Sequence, residues 1–254
     1  MVKLAEVSWV DAQGIMGEVD TVILPVGSTE QHGPHCPLGT DHVAAEAVSL
    51  AVGERTSLLV LPVVPVGVSS HHRQFPGTLW VHPSVFKEYV EAIILSASSH
   101  GPRKFIIING HGGNTASLRE VAEDMRSDED VFVAIVNAFP AKLDGHAGED
   151  ETSVMLYLHP ELVKIDRAVD AKQNEALAGI KMKAQKVGLA DFGWDTIDLR
   201  STGVFGAAGK TIQAPKATAA HGEQIVNTHI DEISAFAEEL KATRLEDLLP
   251  KPHK

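Results

Sequence analysis

The chain has 254 residues, of which 44% are hydrophobic, and a formal net charge of -12 that is spread along its length. This length and composition suit one large α/β domain with a sizeable core. The acidic balance argues against nucleic-acid binding, which normally leaves a basic footprint.

Cys36 is the only cysteine, which excludes an intrachain disulfide and a thiolate metal cluster. The first residues lack the apolar core of a signal peptide, and no run approaches the ~20 apolar residues of a membrane span. We therefore expect a cytoplasmic protein without a membrane partner.

Four apolar, β-branched runs predict buried strands. They are residues 21–26, 57–66, 104–108 and 131–136. None alternates cleanly between polar and apolar residues, which is typical of strands in a mostly parallel sheet that is covered on both faces. Helical patterns separate the runs at residues 41–54, 83–100 and 115–126. Strand and helix therefore alternate, as they do in βαβ units.

Two further patterns describe the rest of the chain. A last long helix is predicted at about residues 217–242, where apolar residues recur at helical spacing. The Gly-rich, unpatterned segment 191–215 is predicted to be a long surface loop, and such loops are often functional. Because the sequence has no repeat, low-complexity tract or linker, residues 1–254 are predicted to form a single domain.

The densest group of polar residues follows the first predicted strand. Residues 27–42 read GSTEQHGPHCPLGTDH and contain Glu30, His32 and Asp41. Glu30 and His32 are two residues apart, so both point to one side of an extended backbone. A Pro/Gly-rich turn could bring Asp41 back towards them. Carboxylate and imidazole ligands together suit hard and borderline divalent metals, so this stretch predicts the main part of a metal site.

Three other polar clusters follow the later strands. Ser69, His71 and His72 follow the second strand, residues 109–114 (NGHGGN) follow the third, and His146 and Glu151 follow the fourth. Because ligands of open α/β sheets bind beyond the carboxyl ends of the strands, these clusters are expected to meet at one rim. The glycines on both sides of His111 allow its backbone to approach a metal or a substrate closely. His146 and Glu151 are candidates for proton transfer or for metal ligation.

Four motifs, in this order, resemble those of the creatininase (creatinine amidohydrolase) family. They are GSTEQHGPH at residues 27–35, FPGT at 75–78, NGHGGN at 109–114 and HAGEDETS at 146–153. The resemblance implies a three-layer α/β sandwich with a mostly parallel central sheet, in a homo-oligomer that is often a hexamer. It also implies a hydrolase that cleaves a C–N amide bond, such as a cyclic amide or a formamide, in a small molecule by means of a metal-activated water.

The resemblance further implies two divalent ions, each Zn, Mn or Fe, held by carboxylates and imidazoles. The matching positions are Glu30, Asp41 and His111 for one ion, and His32 with a bridging Asp41 for the other. Creatininases have a further glutamate ligand two residues after the position of His111, where this chain has Gly113. Glu151 is expected to complete the second site instead; the alternative is that the second ion binds weakly.

The same resemblance suggests which residues act on the substrate. His146 matches the family histidine that handles protons near the leaving nitrogen, and Glu151 is the second candidate for a catalytic role. Substrate contacts are expected from four residues: Ser69, His72, Gly112 and Gly113. Creatininases also pack their flat substrate with tryptophans, and this chain has none near residues 120–146. Creatinine itself is therefore not the expected substrate.

Three alternatives remain open at this point. A metal-dependent phosphoesterase would use the same two ions but would need Lys or Arg near the phosphate, and only Arg73 lies close to a motif. A non-catalytic metal-binding protein would fit the missing ligand at Gly113, although a structural site would not need a spare acid/base group such as His146. Within the family, a peptidase-type member that acts on a modified precursor peptide is the third alternative.

Overall fold

The centre of the molecule is a five-stranded sheet in which all neighbouring strands are parallel. The computed structural model describes residues 2–140, 144–172, 174–177, 179–183, 186–187, 190–191, 195–206 and 211–249. The strands are β1 (Val2–Lys3), β2 (Thr21–Val26), β3 (Leu59–Val60), β4 (Lys104–Asn109) and β5 (Phe132–Asn137). Their spatial order is β1-β3-β2-β4-β5. Every residue of β2 and β4 is buried, which confirms the prediction of a parallel sheet covered on both faces.

Helices form a layer on each face of the sheet. One layer contains α1 (Trp9–Glu18), α3 (Pro83–Ser98) and α4 (Thr115–Asp128), and the other contains α2 (Thr40–Thr56), α5 (Glu149–Leu158) and α7 (Ala219–Ala242). Strand β2 serves both layers, because Val22 and Leu24 belong to the first core and Ile23 belongs to the second. The predicted three-layer α/β sandwich is therefore confirmed. Among the described residues, no helix has the length and apolarity that crossing a membrane requires.

The strand predicted at residues 57–66 is wrong in its extent. Only Leu59–Val60 forms a strand, and Val64 adds a single bridge to Val26. Pro62 and Pro65 interrupt the run, since proline has no N–H to donate to a ladder. The helices predicted at residues 41–54, 83–100, 115–126 and 217–242 are confirmed within two residues at each end.

Short antiparallel strands follow β5 in the chain. They pair β6 (Gly145–His146) with β12 (Phe205–Gly206) and β7 (Asp170–Lys172) with β13 (Thr211–Gln213). A separate four-stranded sheet contains β8 (Ala176–Leu177), β9 (Ile180–Lys183), β10 (Lys186–Val187) and β11 (Ala190–Asp191).

The prediction of a plain surface loop across residues 191–215 is wrong for the part that the structure describes. That part contains β12, β13 and a one-turn helix, α6 (Thr196–Leu199). Elements of two to four residues are too short to give a periodic signal in the sequence. The chain's last described helix is α8 (Leu245–Leu248).

Candidate metal centre

The five residues predicted as metal ligands converge at the carboxyl edge of the parallel sheet. Glu30 and His32 follow β2, Asp41 lies in the first turn of α2, His111 follows β4, and Glu151 lies in the first turn of α5. All five are buried. They meet because parallel strands end at the same edge of the sheet, where the following loops and helices begin.

Site A is the group formed by Glu30, Asp41 and His111. The Nδ1 atom of His111 lies 3.2 Å from Glu30 Oε2 and 3.1 Å from Asp41 Oδ2. Ligand atoms that are each about 2.0–2.1 Å from a tetrahedral ion lie roughly 3.3 Å from one another. The distances from His111 to the two carboxylates of site A therefore suit ligands of one divalent ion.

Site B is the group formed by His32, Asp41 and Glu151. The Nε2 atom of His32 lies 3.0 Å from Asp41 Oδ1 and 3.7 Å from Glu151 Oε2. Glu151 Oε2 also accepts a hydrogen bond from the N–H of Ala147 at 2.6 Å. Because one oxygen of Asp41 faces site B and the other faces site A, its carboxylate lies between the two sites.

Backbone carbonyls orient the histidine rings of both sites. His32 Nδ1 lies 3.2 Å from the carbonyl oxygen of Glu30, and His111 Nε2 lies 3.0 Å from that of Val68. A ring nitrogen that donates to a carbonyl carries the hydrogen, so the other nitrogen of each neutral ring bears a lone pair. In both histidines that other nitrogen faces the carboxylates, which is the usual arrangement of metal-binding histidines.

Two buried donor atoms of this centre lack a hydrogen-bond partner in the described part of the chain. They are His32 Nε2 and Asp41 Oδ2. Each lies close to another donor atom of its site, but without the geometry of a hydrogen bond. Buried polar atoms are normally paired, and a divalent cation in each site would satisfy these two atoms. The residues present therefore fit a metal ion, and their mixture of oxygen and nitrogen donors suits Zn, Mn or Fe.

The ionisation of the buried groups also favours a cation. Burial would lower the pKa of His32, but the carboxylates of Asp41, Glu151 and Glu30 outweigh burial and raise the pKa to about 10. Burial raises the pKa of Glu151 to about 7, although the charge of His32 acts in the opposite direction. Burial would also raise the pKa of Asp41, yet His32 and His111 hold it below its usual range. In the absence of an ion, protons therefore balance the carboxylates at neutral pH.

Metal binding is expected to release protons, because a ligand histidine must be neutral. Since the pKa of His32 is raised to about 10, a proton competes with the ion at any lower pH. The affinity should therefore rise with pH, by about tenfold per pH unit for each proton displaced. Calorimetric titration of metal-free protein in two buffers of different protonation enthalpy measures the released protons. An affinity that is independent of pH, with no proton release, would contradict this assignment.

A cavity of about 900 Å³ opens over the centre. Three of the four predicted substrate contacts, His72, Gly112 and Gly113, line it. The fourth, Ser69, is not among the described residues of the cavity wall, and its hydroxyl donates a hydrogen bond of 2.9 Å to the carbonyl of Leu79. The cavity has the size of a small-molecule site.

His146 faces the centre from strand β6. Its Nε2 lies 2.8 Å from the carbonyl oxygen of Gln31, and its Nδ1 lies 4.0 Å from Glu30 Oε1. Its ring stacks on that of Phe205, with the ring centroids 4.9 Å apart, because the pairing of β6 with β12 places the two residues opposite each other. Burial and the charge of His32 hold the pKa of His146 well below its ordinary value, so this imidazole is neutral at neutral pH.

Two polar residues of the site, Gln31 and His71, have no role in the prediction from sequence, although His71 belongs to one of the clusters expected at the rim. Gln31 Nε2 lies 2.8 Å from His72 Nδ1, 2.9 Å from His146 Nε2 and 3.1 Å from the carbonyl oxygen of Gly203. It therefore connects the loop after β2 with residues that are distant in the sequence. His71 lines the cavity. Both residues are adjacent in the sequence to predicted site residues. That position indicates that they lie near the site, but it does not indicate where their side chains point.

Gly113 leaves no room for a side chain. A Cβ atom there would overlap His111 Nε2 and the carbonyl oxygen of Val68, which are the two atoms of the contact that orients His111. The glutamate that creatininases carry at this position therefore cannot be introduced here unless His111 moves.

We expect Gly113→Ala to weaken metal binding by roughly 10–100-fold, the usual cost of disturbing the outer partner of a ligand histidine. Gly112→Ala is the matched control, because nothing lies within 4 Å of a Cβ added to Gly112. Competition with a chromophoric chelator measures both affinities. If the two variants bind metal equally well, the contact between His111 and Val68 does not support the site.

The fold and the site together define a class of protein, the three-layer α/β proteins with a carboxylate–histidine centre at the carboxyl edge of the sheet. The family model named Creatininase, described as creatinine amidohydrolase, matches residues 5–237. The chain therefore belongs to the creatininase family.

Similar proteins include two different kinds of hydrolase. The mycofactocin precursor peptide peptidase of Mycobacterium ulcerans (strain Agy99) is 36% identical over 157 residues, which are 58% of this chain and 62% of the relative. The creatinine amidohydrolase of Pseudomonas putida is 32% identical over 198 residues, which are 66% of this chain and 76% of that enzyme. This chain thus spans less than two thirds of the length of the first relative.

The fold is shared along nearly the whole chain. A solved structure named Creatininase Mn superposes with a TM-score of 0.75 and 25% sequence identity, and the match covers 95% of this chain and 99% of that one. The family resemblance seen in the sequence motifs is thus accompanied by a common architecture.

Proposed function

We propose that this chain is a metal-dependent amidohydrolase that cleaves a C–N amide bond in a small molecule. The observation that carries the proposal is the position of Asp41, whose two carboxylate oxygens face different histidines, His32 at 3.0 Å and His111 at 3.1 Å. Each of these histidines is oriented by a backbone carbonyl. This arrangement suits two neighbouring divalent ions that share one carboxylate.

The ligands of the two ions follow from the two sites. Glu30, Asp41 and His111 would hold the ion of site A, and His32, Asp41 and Glu151 would hold the ion of site B. Bound there, the ions would provide an activated water at neutral pH and would polarise the carbonyl of the scissile amide. Zn, Mn and Fe all suit these donors, and the related structure named Creatininase Mn supports Mn as one of the candidates.

His146 is the proposed proton carrier. In the tautomer whose Nε2 hydrogen is donated to the carbonyl of Gln31, the lone pair on Nδ1 is turned towards Glu30 and the centre. A neutral imidazole in this position can accept a proton at Nδ1 and donate it to the amine nitrogen as that group leaves. Phe205 covers one face of the ring and keeps it in place. Glu151, which is also the proposed ligand of site B, is the second candidate for a catalytic role.

Residues of the cavity wall are proposed to bind the substrate. The backbone N–H groups of Gly112 and Gly113 are candidates for binding the oxyanion that develops on the amide. His72 lines the cavity, and its Nε2 lies 3.3 Å from Glu30 Oε1, so it would both contact the substrate and orient Glu30. Ser69 is proposed to support this region, because its hydroxyl binds the carbonyl of Leu79.

The cavity favours an amide over a phosphate ester as the substrate. None of its described lining residues is Lys or Arg, whereas Phe139, Leu199 and Phe205 provide apolar surface. Trp9 and Trp80 are exposed and do not line it, and Trp194 lies outside the described residues. Because no tryptophan occurs in residues 120–146, creatinine is not the proposed substrate. The alternative is a peptidase that acts on a modified precursor peptide, which the similarity to the Mycobacterium ulcerans peptidase supports.

We also propose that residues 1–254 form a single domain, which assembles into a homo-oligomer, as the hexamers of the family suggest. The net charge of -12 supports the absence of a nucleic-acid partner. A chain with a single cysteine has no disulfide framework, which supports a cytoplasmic location.

Metal analysis combined with a substrate panel tests the proposal. The metal content per chain is measured on protein purified without chelator, together with the hydrolysis of creatinine, formamides, other small amides and short peptides. About two ions per chain with turnover of an amide or a formamide would support the proposal. Turnover of an aryl phosphate instead would favour a phosphoesterase, and stoichiometric metal without any hydrolysis would favour a non-catalytic protein.

A further inference from the structure

We propose that His71 is an additional ligand of site A, an inference that rests on the proposed metal centre. His71 belongs to a single turn of 3-10 helix, Ser70–His72, in the connection between β3 and α3. It reaches the centre from the cavity side, whereas Glu30 and His111 come from the ends of the central strands.

The position of the His71 ring supports this role. One of its nitrogens and the ligand atoms of Glu30 and His111 all lie within 4.8 Å of one another. The rings of His71 and His111 are stacked, with centroids 5.6 Å apart and planes inclined by 12°. One nitrogen of each imidazole therefore lies within 4.8 Å of the same carboxylate oxygen, and these three atoms could bind one ion.

Within the described part of the chain, neither ring nitrogen of His71 makes a hydrogen bond. The neighbouring His72 differs, because its Nδ1 lies 2.8 Å from Gln31 Nε2 and its Nε2 lies 3.3 Å from Glu30 Oε1. Gly113, two residues after His111, has no room for a donor side chain. Of the two adjacent histidines, His71 is therefore the one with a nitrogen available for an ion.

The extra imidazole would make the two sites chemically different. With His71, site A has two nitrogen and two carboxylate ligands, whereas site B has one imidazole, that of His32. Imidazole donors favour Zn and Fe, and sites richer in carboxylate suit Mn. We therefore expect site A to prefer Zn or Fe to Mn. We also expect this preference to depend on His71.

Cobalt titration of metal-free protein tests the inference without measuring activity, because the visible spectrum of Co²⁺ reports its ligands. Wild-type protein is expected to bind two equivalents. Loss of even an outer partner of a ligand costs roughly 10–100-fold in metal affinity, so His71→Ala should weaken one equivalent by at least about tenfold. The other equivalent should be unchanged, and the spectrum of the weakened site should shift.

Two further variants separate ligation from a structural role. In His71→Gly, added imidazole should enter the open cavity and restore the wild-type cobalt spectrum, which a merely structural defect would not allow. His100→Ala is the matched control, since His100 is an exposed histidine that does not line this cavity. It should bind cobalt as the wild type does.

The outcomes distinguish this inference from the proposed function. If wild-type protein binds two equivalents, but the affinities and the cobalt spectrum of His71→Ala match it, the inference is overturned and the proposed metal centre stands. If wild-type protein binds no cobalt, the proposed function and this inference fail together. Should His71→Ala not fold, the imidazole titration of His71→Gly decides, and absence of spectral recovery overturns the inference.

Discussion

The variant His111→Ala is expected to lose the ion of site A and to lose amide hydrolysis at the same time. His111 Nδ1 lies within 3.2 Å of both carboxylates of that site, and its removal leaves Glu30 and Asp41 to repel each other in a buried position. The loss of a direct ligand should cost at least the roughly 10–100-fold in affinity that the loss of an outer partner costs. Metal analysis of the dialysed protein and the rate of amide hydrolysis measure the two effects on the same sample.

The exposed His100 again provides the control, since His100→Ala removes an imidazole of the same size away from the centre. Circular dichroism and the melting temperature of both variants show whether the fold is intact. Equal metal content in the wild type and His111→Ala would contradict the assignment of His111 as a ligand. Loss of activity with full metal content would instead indicate a role in substrate binding.

The variant His146→Ala is expected to keep its metal and to lose turnover. Each site retains three donors without His146, whose Nδ1 lies 4.0 Å from the nearest oxygen of Glu30. A positioned acid/base group contributes about 10²–10⁴-fold to the rate, so we expect kcat to fall by that amount. Steady-state kinetics and metal analysis of the same preparation measure both quantities.

The alternative outcome for His146→Ala is the loss of a metal ion, which would show that His146 is a ligand. Ligand atoms of Glu30, His32 and His146 lie within 4.8 Å of one another, so His146 could also serve as a ligand. Loss of one ion per chain in this variant would assign His146 to the metal and would contradict its role as the proton carrier. His146→Gln, which keeps a polar side chain of similar length, is the companion variant.

The sequence predicts the central sheet and its layers because buried parallel strands and amphipathic helices have strong periodic signatures. The sequence does not predict helix α1, because only one of its residues, Met16, is buried and the helix therefore has no apolar stripe. The strand at residues 57–66 was predicted too long because its apolar composition conceals the effect of Pro62 and Pro65, which cannot pair. Hydrophobicity alone thus indicates burial better than it indicates hydrogen bonding.

Part of the candidate site could be predicted from the sequence, because the topology of the sheet determines which residues lie near one another. The order of strands along the chain brings Glu30 and His111 to one edge, so their proximity follows from topology. Side-chain orientation does not follow from topology. The contact of Gln31 with Gly203 joins residues 172 positions apart, and it depends on how the segment after α6 packs on the cavity. No local pattern in the sequence encodes such a contact.

The buried carboxylates make the stability of the folded protein depend on bound metal. Glu30, Asp41 and Glu151 are buried together, and without an ion they depend on protons held by the neighbouring histidines for compensation, which leaves several buried charges that oppose folding. An ion that binds only the folded chain, at 100 times its Kd, would add about 2.7 kcal/mol to the free energy of unfolding. The supply of metal in the cell would then set how much folded protein survives proteolysis, as well as how much of it is active.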